Sequence, residues 1–469
     1  MTRVVIIGGG PGGYEAALVG AQLGADVAIV DRDGIGGSAV LTDCVPSKTL
    51  VATAELMSSV QESGELGLRF GADATDGSPA TGGGPQSVAV DLAVVNQRVR
   101  KLAEQQSADI ARRLDKEGVR IVHGTGRLDG PETVVANTED GEERLAADAV
   151  LISTGAHPRV LPTAAPDGER ILTWEQVYDV DEFPSRLIVI GSGVTGAEFA
   201  SAYNALGVDV VLVSSRDRVL PGEDAQAAEV LEDVLTRRGM TVLSRSRAQD
   251  VVRDGDHVVV TLTDGSTVEG SHCLLAVGSI PNTQDLGLEE AGVVLGEGGY
   301  VTVDRVSRTS ARGVYAAGDC TGVLMLASVA AMQGRIAMWH ALGDAVSPLD
   351  LKTVSSNVFT APEIATVGYS QQAVDDGEIE AHVEMLPLAG NARAKMQGVH
   401  DGFVKLFSRP GTGIVVGGVV VAPRASELIH AVSLAVEARL TVDELAHAFT
   451  VYPSMSGSIA EAARRLHTR

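Results

Sequence analysis

The sequence predicts an α/β protein with two Rossmann-like dinucleotide-binding domains and a C-terminal α+β domain. Three observations predict it. A strand, glycine turn, helix, strand unit opens the chain, and the same unit recurs from Arg186. After Asp350 the pattern changes to apolar strands followed by an apolar helix.

The first unit reads "RVVII", "GGGPGG", "YEAALVGAQLG", "DVAIVD", two apolar runs around a segment of helical spacing. Gly8, Gly10 and Gly13 fit GxGxxG: a tight turn, close approach of a pyrophosphate to the backbone, and packing of helix on strand. Asp31 ends the second strand, where a carboxylate accepts ribose hydroxyls. The second unit, "RLIVIGSGVTGAEFASAYNALGVDVVLVSS", places Gly191, Gly193 and Gly196 in the same positions. Two such sites in one chain imply two nucleotides brought together, as in flavin plus nicotinamide chemistry. Between the units, Gly71 to Ser87 reads as a Gly/Ser/Pro-rich surface loop. Asp91 to Lys116 reads as an amphipathic helix with Leu92, Val95, Val99 and Leu102 on one face. "GFVKLF", "GIVVGGVVVA" and "ASELIHAVSLAVEARL" supply the strands and helix of the third domain.

At 469 residues the chain exceeds the usual size of one domain. Its 37 basic and 61 acidic residues give a net charge of −24, which argues against nucleic acid and anionic membrane surfaces as partners and requires any anionic cofactor to be held locally. No leader-like segment or bilayer-length apolar run is visible, and three cysteines are too few for a disulfide framework. A reducing cytoplasm is the expected location.

Seven motifs in order, "GGGPGG", "CVPSK", "LISTGAHPRVLP", "GSGVTGAE", "VGSIPNT", "GVYAAGDCTG" and "VFTAPEIATVG", resemble the flavoprotein disulfide reductase family, which includes dihydrolipoamide dehydrogenase and glutathione reductase. The resemblance covers essentially the whole chain. It implies an FAD domain over 1–155 and 275–350, an NAD(P) domain over 156–274, a dimerisation domain over 351–469, and a homodimer. It places FAD on the first glycine turn, with Asp31 on its ribose and Asp319 on the ribityl chain, and gives Thr154, Gly155 and Gly278 cofactor-binding roles. Lys48 resembles the family lysine beside the flavin, and Glu198 its carboxylate partner.

The chain departs from the family where the chemistry is done. Against the family's "GGTCLNVGCIPSK", the segment "GGSAVLTDCVPSK" has Ala39 at the first cysteine and keeps the second as Cys44. Against "HAHPTLSE", "TVYPSMSG" puts Tyr452 at the base and Gly457 at its carboxylate partner. Thiol–disulfide exchange needs a second thiol to resolve the mixed disulfide and a base to collect the proton. A phenol with a reference pKa near 10 is a poor base at neutral pH. His447, on the preceding helix, reads as a helix-end histidine. Pro46 places Cys44 at a helix N-terminus, where a thiolate is favoured; it either tunes the flavin or forms a one-cysteine adduct, or it is a packing residue. Ser279 stands where relatives commonly carry arginine, with no account from the sequence.

The strand after the second glycine turn ends in Ser214, not in the carboxylate of NAD-binding relatives, and Ser215, Arg216 and Arg218 follow. Hydroxyls and guanidinium groups suit a 2′-phosphate, so NADPH is expected, with NADH also used. Reduced FAD without a dithiol must discharge onto an acceptor that approaches the ring, which quinones do. The leading reading is an NAD(P)H:quinone oxidoreductase resembling actinobacterial quinone reductases of the family, with a flat apolar wall at Ala39, Val40 and Leu41 and Tyr452 of the partner subunit as a cap. The other readings are a single-cysteine NAD(P)H oxidase, peroxidase or transhydrogenase working through Cys44, and a non-catalytic flavoprotein subunit.

Overall fold

The computed structural model describes residues 1–68 and 88–467; the loop read at 71–87 lies outside the described residues. The chain forms two compact units. The first comprises Met1–Thr49, Gln97–Arg159 and Gly278–Asp350, and the second Leu50–Asn96, Val160–Val277 and Leu351–Arg469.

In the first unit, five parallel strands stand in the order Val314–Ala316, Ala149–Ile152, Arg3–Ile7, Asp26–Asp31, Arg120–His123. Parallel strands covered on both faces must be apolar on both faces. The unbroken valine and isoleucine runs meet that requirement: Ile6, Ile29, Leu151 and Ile152 are fully buried. The helix Pro11–Gln22 opens on proline, whose missing N–H costs nothing in a first turn. It packs closely against Ala327–Ala341, where a Cβ at Gly334 would strike the Gly12 carbonyl oxygen. An antiparallel sheet of Thr125–Leu128, Thr133–Thr138 and Gly141–Ala146 and a two-stranded ribbon of Ala156–Pro158 with Ser279–Pro281 complete the unit.

The second unit repeats the parallel design in the order Thr241–Leu243, Asp209–Val213, Arg186–Ile190, His272–Leu275, Ile171–Thr173. Its helix Val194–Ala205 follows the second glycine turn. The C-terminal segment forms an antiparallel sheet in the order Ser355–Val358, Glu363–Gly368, Val415–Ala422, Phe403–Ser408, His382–Pro387. Helices Ala425–Glu437 and Gly457–Leu466 share its apolar core. The expected α/β architecture with two dinucleotide-binding folds and an α+β C-terminal part is borne out. The amphipathic helix runs from Leu92 to Lys116, with Leu92, Val95 and Val99 buried and Leu102 half-buried.

One feature of the second unit had no trace in the local sequence. Lys405, at the centre of Phe403–Ser408, is 1% exposed, and its Nζ lies 2.7 Å from Oδ2 of Asp224, 2% exposed. Asp224 also caps the helix Ala225–Arg237, its Oδ1 accepting the N–H groups of Gln226 and Ala227.

Candidate functional site

In the first glycine turn, Gly8 adopts φ +102°, and a Cβ there would run into the Ser153 carbonyl oxygen; a Cβ at Gly13 would run into that of Gly8. Gly10, by contrast, has nothing within 4 Å of a Cβ. The turn is therefore closed on its strand side and open above Gly10, where a pyrophosphate can reach backbone N–H groups at the start of a helix. The second turn repeats this arrangement: Gly191 at φ +111° and Gly196 are closed in by carbonyl oxygens, and Gly193 is open.

Beside the first turn is a cleft of about 390 Å³, lined by Gly8, Asp31, Gly126, Thr154, His157 and Asn282 among others. Asp31 Oδ2 accepts the Gly9 N–H at 2.6 Å, and its Oδ1 accepts those of Asp33 and Gly34 at 3.0 and 2.6 Å. A carboxylate has about four acceptor positions, so one remains for a ribose hydroxyl. Thr154 and Gly155 are tied to Asn282: Thr154 Oγ1 donates to its carbonyl, its side-chain amide returns a bond to the Thr154 carbonyl, and its N–H reaches the Gly155 carbonyl. Gly278, at φ +99°, accepts the Arg159 N–H. The open glycine, the cleft and the residual acceptor on Asp31 fit the adenosine diphosphate half of FAD. Asn282 and His157 were not foreseen; only their place in two family motifs marked them.

Asp319 begins the short turn Asp319–Thr321, and burial, with the Asp43 carboxylate adding to it, pushes its carboxyl up to about 6. Cys44 is the first residue of the helix Cys44–Glu62, as Pro46 implied, and Lys48 follows one turn later on the same face. Cys44 Sγ donates to Asp43 Oδ2 at 3.9 Å. Asp43 occupies the position of the family glycine before the second cysteine, which is the signal that would have found it. Neither remaining cysteine supplies the missing sulfur. Cys273 and Cys320 are fully buried, with burial raising both thiols, Cys320 to about 11.

In the second unit, Glu198 is 4% exposed and its Oε1 accepts the Phe359 N–H at 2.8 Å. Ser214 departs from expectation. It is fully buried, its hydroxyl bonded to that of Ser192 at 2.7 Å and accepting the Arg216 N–H at 3.1 Å. It braces the glycine turn against the strand end and does not face solvent; Ser215 and Arg216 are the exposed residues. Tyr452 is 86% exposed, beside equally exposed Phe449 and Val451, an apolar strip of the kind found at subunit contacts. His447 ends the helix Val442–His447, with Nδ1 against the Asp443 carbonyl. Ser279 lies in the short ribbon opposite Pro158, and nothing there explains the loss of arginine.

Two glycine turns on two parallel sheets define a protein with two dinucleotide sites. Residues 2–334 match the pyridine nucleotide-disulphide oxidoreductase family, and residues 354–463 match the dimerisation domain of that family. The chain belongs to this family; its cofactors are FAD and NAD(P)H, and its C-terminal part is the domain through which the family dimerises. It is 54% identical, over 99% of its length and 94% of the relative's, to an NAD(P)H dehydrogenase (quinone) of Mycobacterium tuberculosis. The crystal structure of LpdA from that organism superposes with a TM-score of 0.93 over 99% of this chain and 100% of that one. A dihydrolipoyl dehydrogenase of Zymomonas mobilis is 31% identical over 99% of this chain and 98% of its own. Among the described residues no helix is long and apolar enough to cross a membrane.

Proposed function

We propose that the chain oxidises NAD(P)H and reduces quinones, and that it has no disulfide reductase activity. The observation that carries this reading is the loss of the exchanging thiol, the first cysteine of the family pair: Ala39 stands in its place, and Cys273 and Cys320 are buried thiols with no path to exchange. FAD, when bound, supplies the two-electron carrier between nicotinamide and acceptor. Gly8, Gly10, Gly13, Asp31, Thr154 and Asp319 hold it, with Gly155 and Gly278 shaping the adjoining loops. Gly191, Gly193 and Gly196 seat the nicotinamide dinucleotide. By family resemblance Lys48 would provide a cation where negative charge accumulates; Glu198 is a buried carboxylate whose Oε1 accepts the Phe359 N–H. Ala39 and Leu41, both half-buried, leave an apolar surface without a nucleophile, suited to a flat acceptor, whereas Val40, expected in that wall, is buried in the core of the first unit; Tyr452 is the cap offered to the partner protomer. The mycobacterial relative's quinone activity by name supports the assignment.

The alternative reading, in which Cys44 cycles through a sulfenate, is separated from this one by the Cys44→Ser variant. The test is turnover with NADPH or NADH and a panel of benzoquinone, lipoamide and oxidised glutathione. Only the quinone is expected to be reduced. Cys44→Ser is expected to change quinone kcat by less than about twofold, a difference below ~0.5 kcal/mol. Disulfide turnover at rates comparable to the quinone would defeat the proposal.

A further inference from the structure

The segment that joins the strand Asp209–Val213 to the helix Ala225–Arg237 ends in a strap, Val219–Asp224, bonded to the second glycine turn. Val219 and Leu220 are buried, and Leu220 adopts φ +51°, a left-handed conformation that a bulky residue keeps only where its surroundings over-determine it. Both of its backbone groups are engaged. Its N–H donates to the Ser192 carbonyl at 2.8 Å, and its carbonyl accepts the Glu223 N–H at 3.0 Å; the Val219 N–H donates to Glu232 Oε2 at 3.2 Å. Ser192 lies inside the turn, between Gly191 and Gly193. Its carbonyl and the Gly193 N–H are opposite edges of one planar peptide, so the bond from Leu220 fixes where the Gly193 N–H points.

The far end of the strap is fastened to the C-terminal sheet of the same unit. Asp224 divides its carboxylate: Oδ1 accepts the N–H groups of Gln226 and Ala227, and Oδ2 meets Lys405 Nζ at 2.7 Å. An apolar pair of the same volume would serve stability as well as this buried ion pair does. What the ion pair adds is a fixed direction for the carboxylate, and with it for the end of the strap. The helix that leaves the turn, Val194–Ala205, is tied to the same C-terminal segment, Ser201 Oγ accepting the Ala361 N–H at 3.1 Å. Strap and helix are thus registered against one frame.

We propose that Lys405 is a positioning residue for the nicotinamide nucleotide: through Asp224 it holds the strap Val219–Asp224 on the Gly191–Gly196 turn and so sets the affinity of that turn for a pyrophosphate. A pyrophosphate at a helix N-terminus is bound by backbone N–H groups, whose strength as donors depends on their aim. With the ion pair removed, the left-handed Leu220 loses part of what holds it, the Ser192 carbonyl is released, and the Gly193 N–H is no longer aimed. The turn keeps its glycines and its fold but binds the dinucleotide less tightly. This rests on the proposed function only in taking the second glycine turn as the nicotinamide nucleotide site, and it is independent of the acceptor.

The test compares the flavin-loaded wild-type protein with Lys405→Met plus Asp224→Asn, which removes both charges and keeps an oxygen to cap the helix. The urea midpoint and flavin content should stay near wild type, whereas the NADPH and NADH concentrations that half-saturate flavin bleaching should rise about tenfold, with the limiting rate within about twofold. Calorimetric titration with 5′-ADP should show a similar loss of affinity. Hydrogen exchange should find the Leu220 amide less protected in the variant and the Gly8–Gly13 turn unchanged. A double variant as stable as wild type that binds 5′-ADP equally tightly, with Leu220 equally protected, would overturn the proposal, leaving the pair a role in stability alone. The wild-type protein supplies an arm that needs no variant: without nucleotide, its Leu220 amide is expected to exchange within about tenfold of the amides of Asp209–Val213, and exchange at the rate of an exposed loop would equally overturn the proposal. Failure of quinone reduction with these affinities intact would count only against the acceptor assignment.

Discussion

Gly196→Ala is expected to remove reduction of the protein by NAD(P)H while leaving the flavin bound. A Cβ at this position collides with the Gly191 carbonyl oxygen and presses on Ala276 Cβ at 3.3 Å. The obstacle is backbone, which cannot rotate aside as a side chain can, so the turn must open and the space above Gly193 is lost. Losing pyrophosphate contacts and the nucleotide's orientation is worth at least ~3 kcal/mol, or more than about a hundredfold in the rate of flavin bleaching by NADPH. Flavin content and reduction by dithionite should be unchanged, because the first turn is a separate structure on a separate sheet. Gly13→Ala is the mirror experiment and is expected to yield protein without flavin. A Gly196→Ala protein that NADPH reduces normally would show that the nucleotide binds elsewhere.

The largest stability effect is expected at Lys405. Replacing it with alanine leaves the Asp224 carboxylate buried without its counter-charge, a change worth about 3–5 kcal/mol. The measurement is urea unfolding followed by circular dichroism, comparing the variant with a double replacement, Lys405→Met with Asp224→Asn. Asparagine retains an oxygen to cap the helix Ala225–Arg237, and the neutral pair removes the stranded charge, so the double variant should recover most of the loss. Equal losses in the single and double variants would mean that the pair contributes packing alone.

What the sequence made legible was what is local. Both glycine units agree with the structure strand for strand, because the apolar runs, the turn and the helix all lie within about thirty residues and obey fixed periods. The loss of the first cysteine and of the base was equally visible, as single letters inside long motifs. Features that depend on distant partners were not. Lys405 reads as the polar position of an ordinary strand, and its partner lies 181 residues earlier. Ser214 reads as a surface hydroxyl at a strand end, yet the Ser192 hydroxyl holds it inside. The antiparallel sheets Thr125–Ala146 and Ala248–Gly270 also escaped notice, because their short, half-exposed strands carry weak alternation.

The fate of the electrons after NAD(P)H distinguishes a quinone reductase from a disulfide reductase, and a half-reaction separates that step from nucleotide binding. The protein is reduced anaerobically with one equivalent of NADPH and mixed in a stopped-flow instrument with a benzoquinone, lipoamide or oxidised glutathione, while the flavin absorbance is followed. With Ala39 in place of the exchanging thiol and Tyr452 in place of the base, the predicted result is rapid return of the oxidised spectrum with the quinone and none with either disulfide. Reoxidation by a disulfide at a rate comparable to the quinone would mean that the chain is a disulfide reductase despite Ala39 and Tyr452.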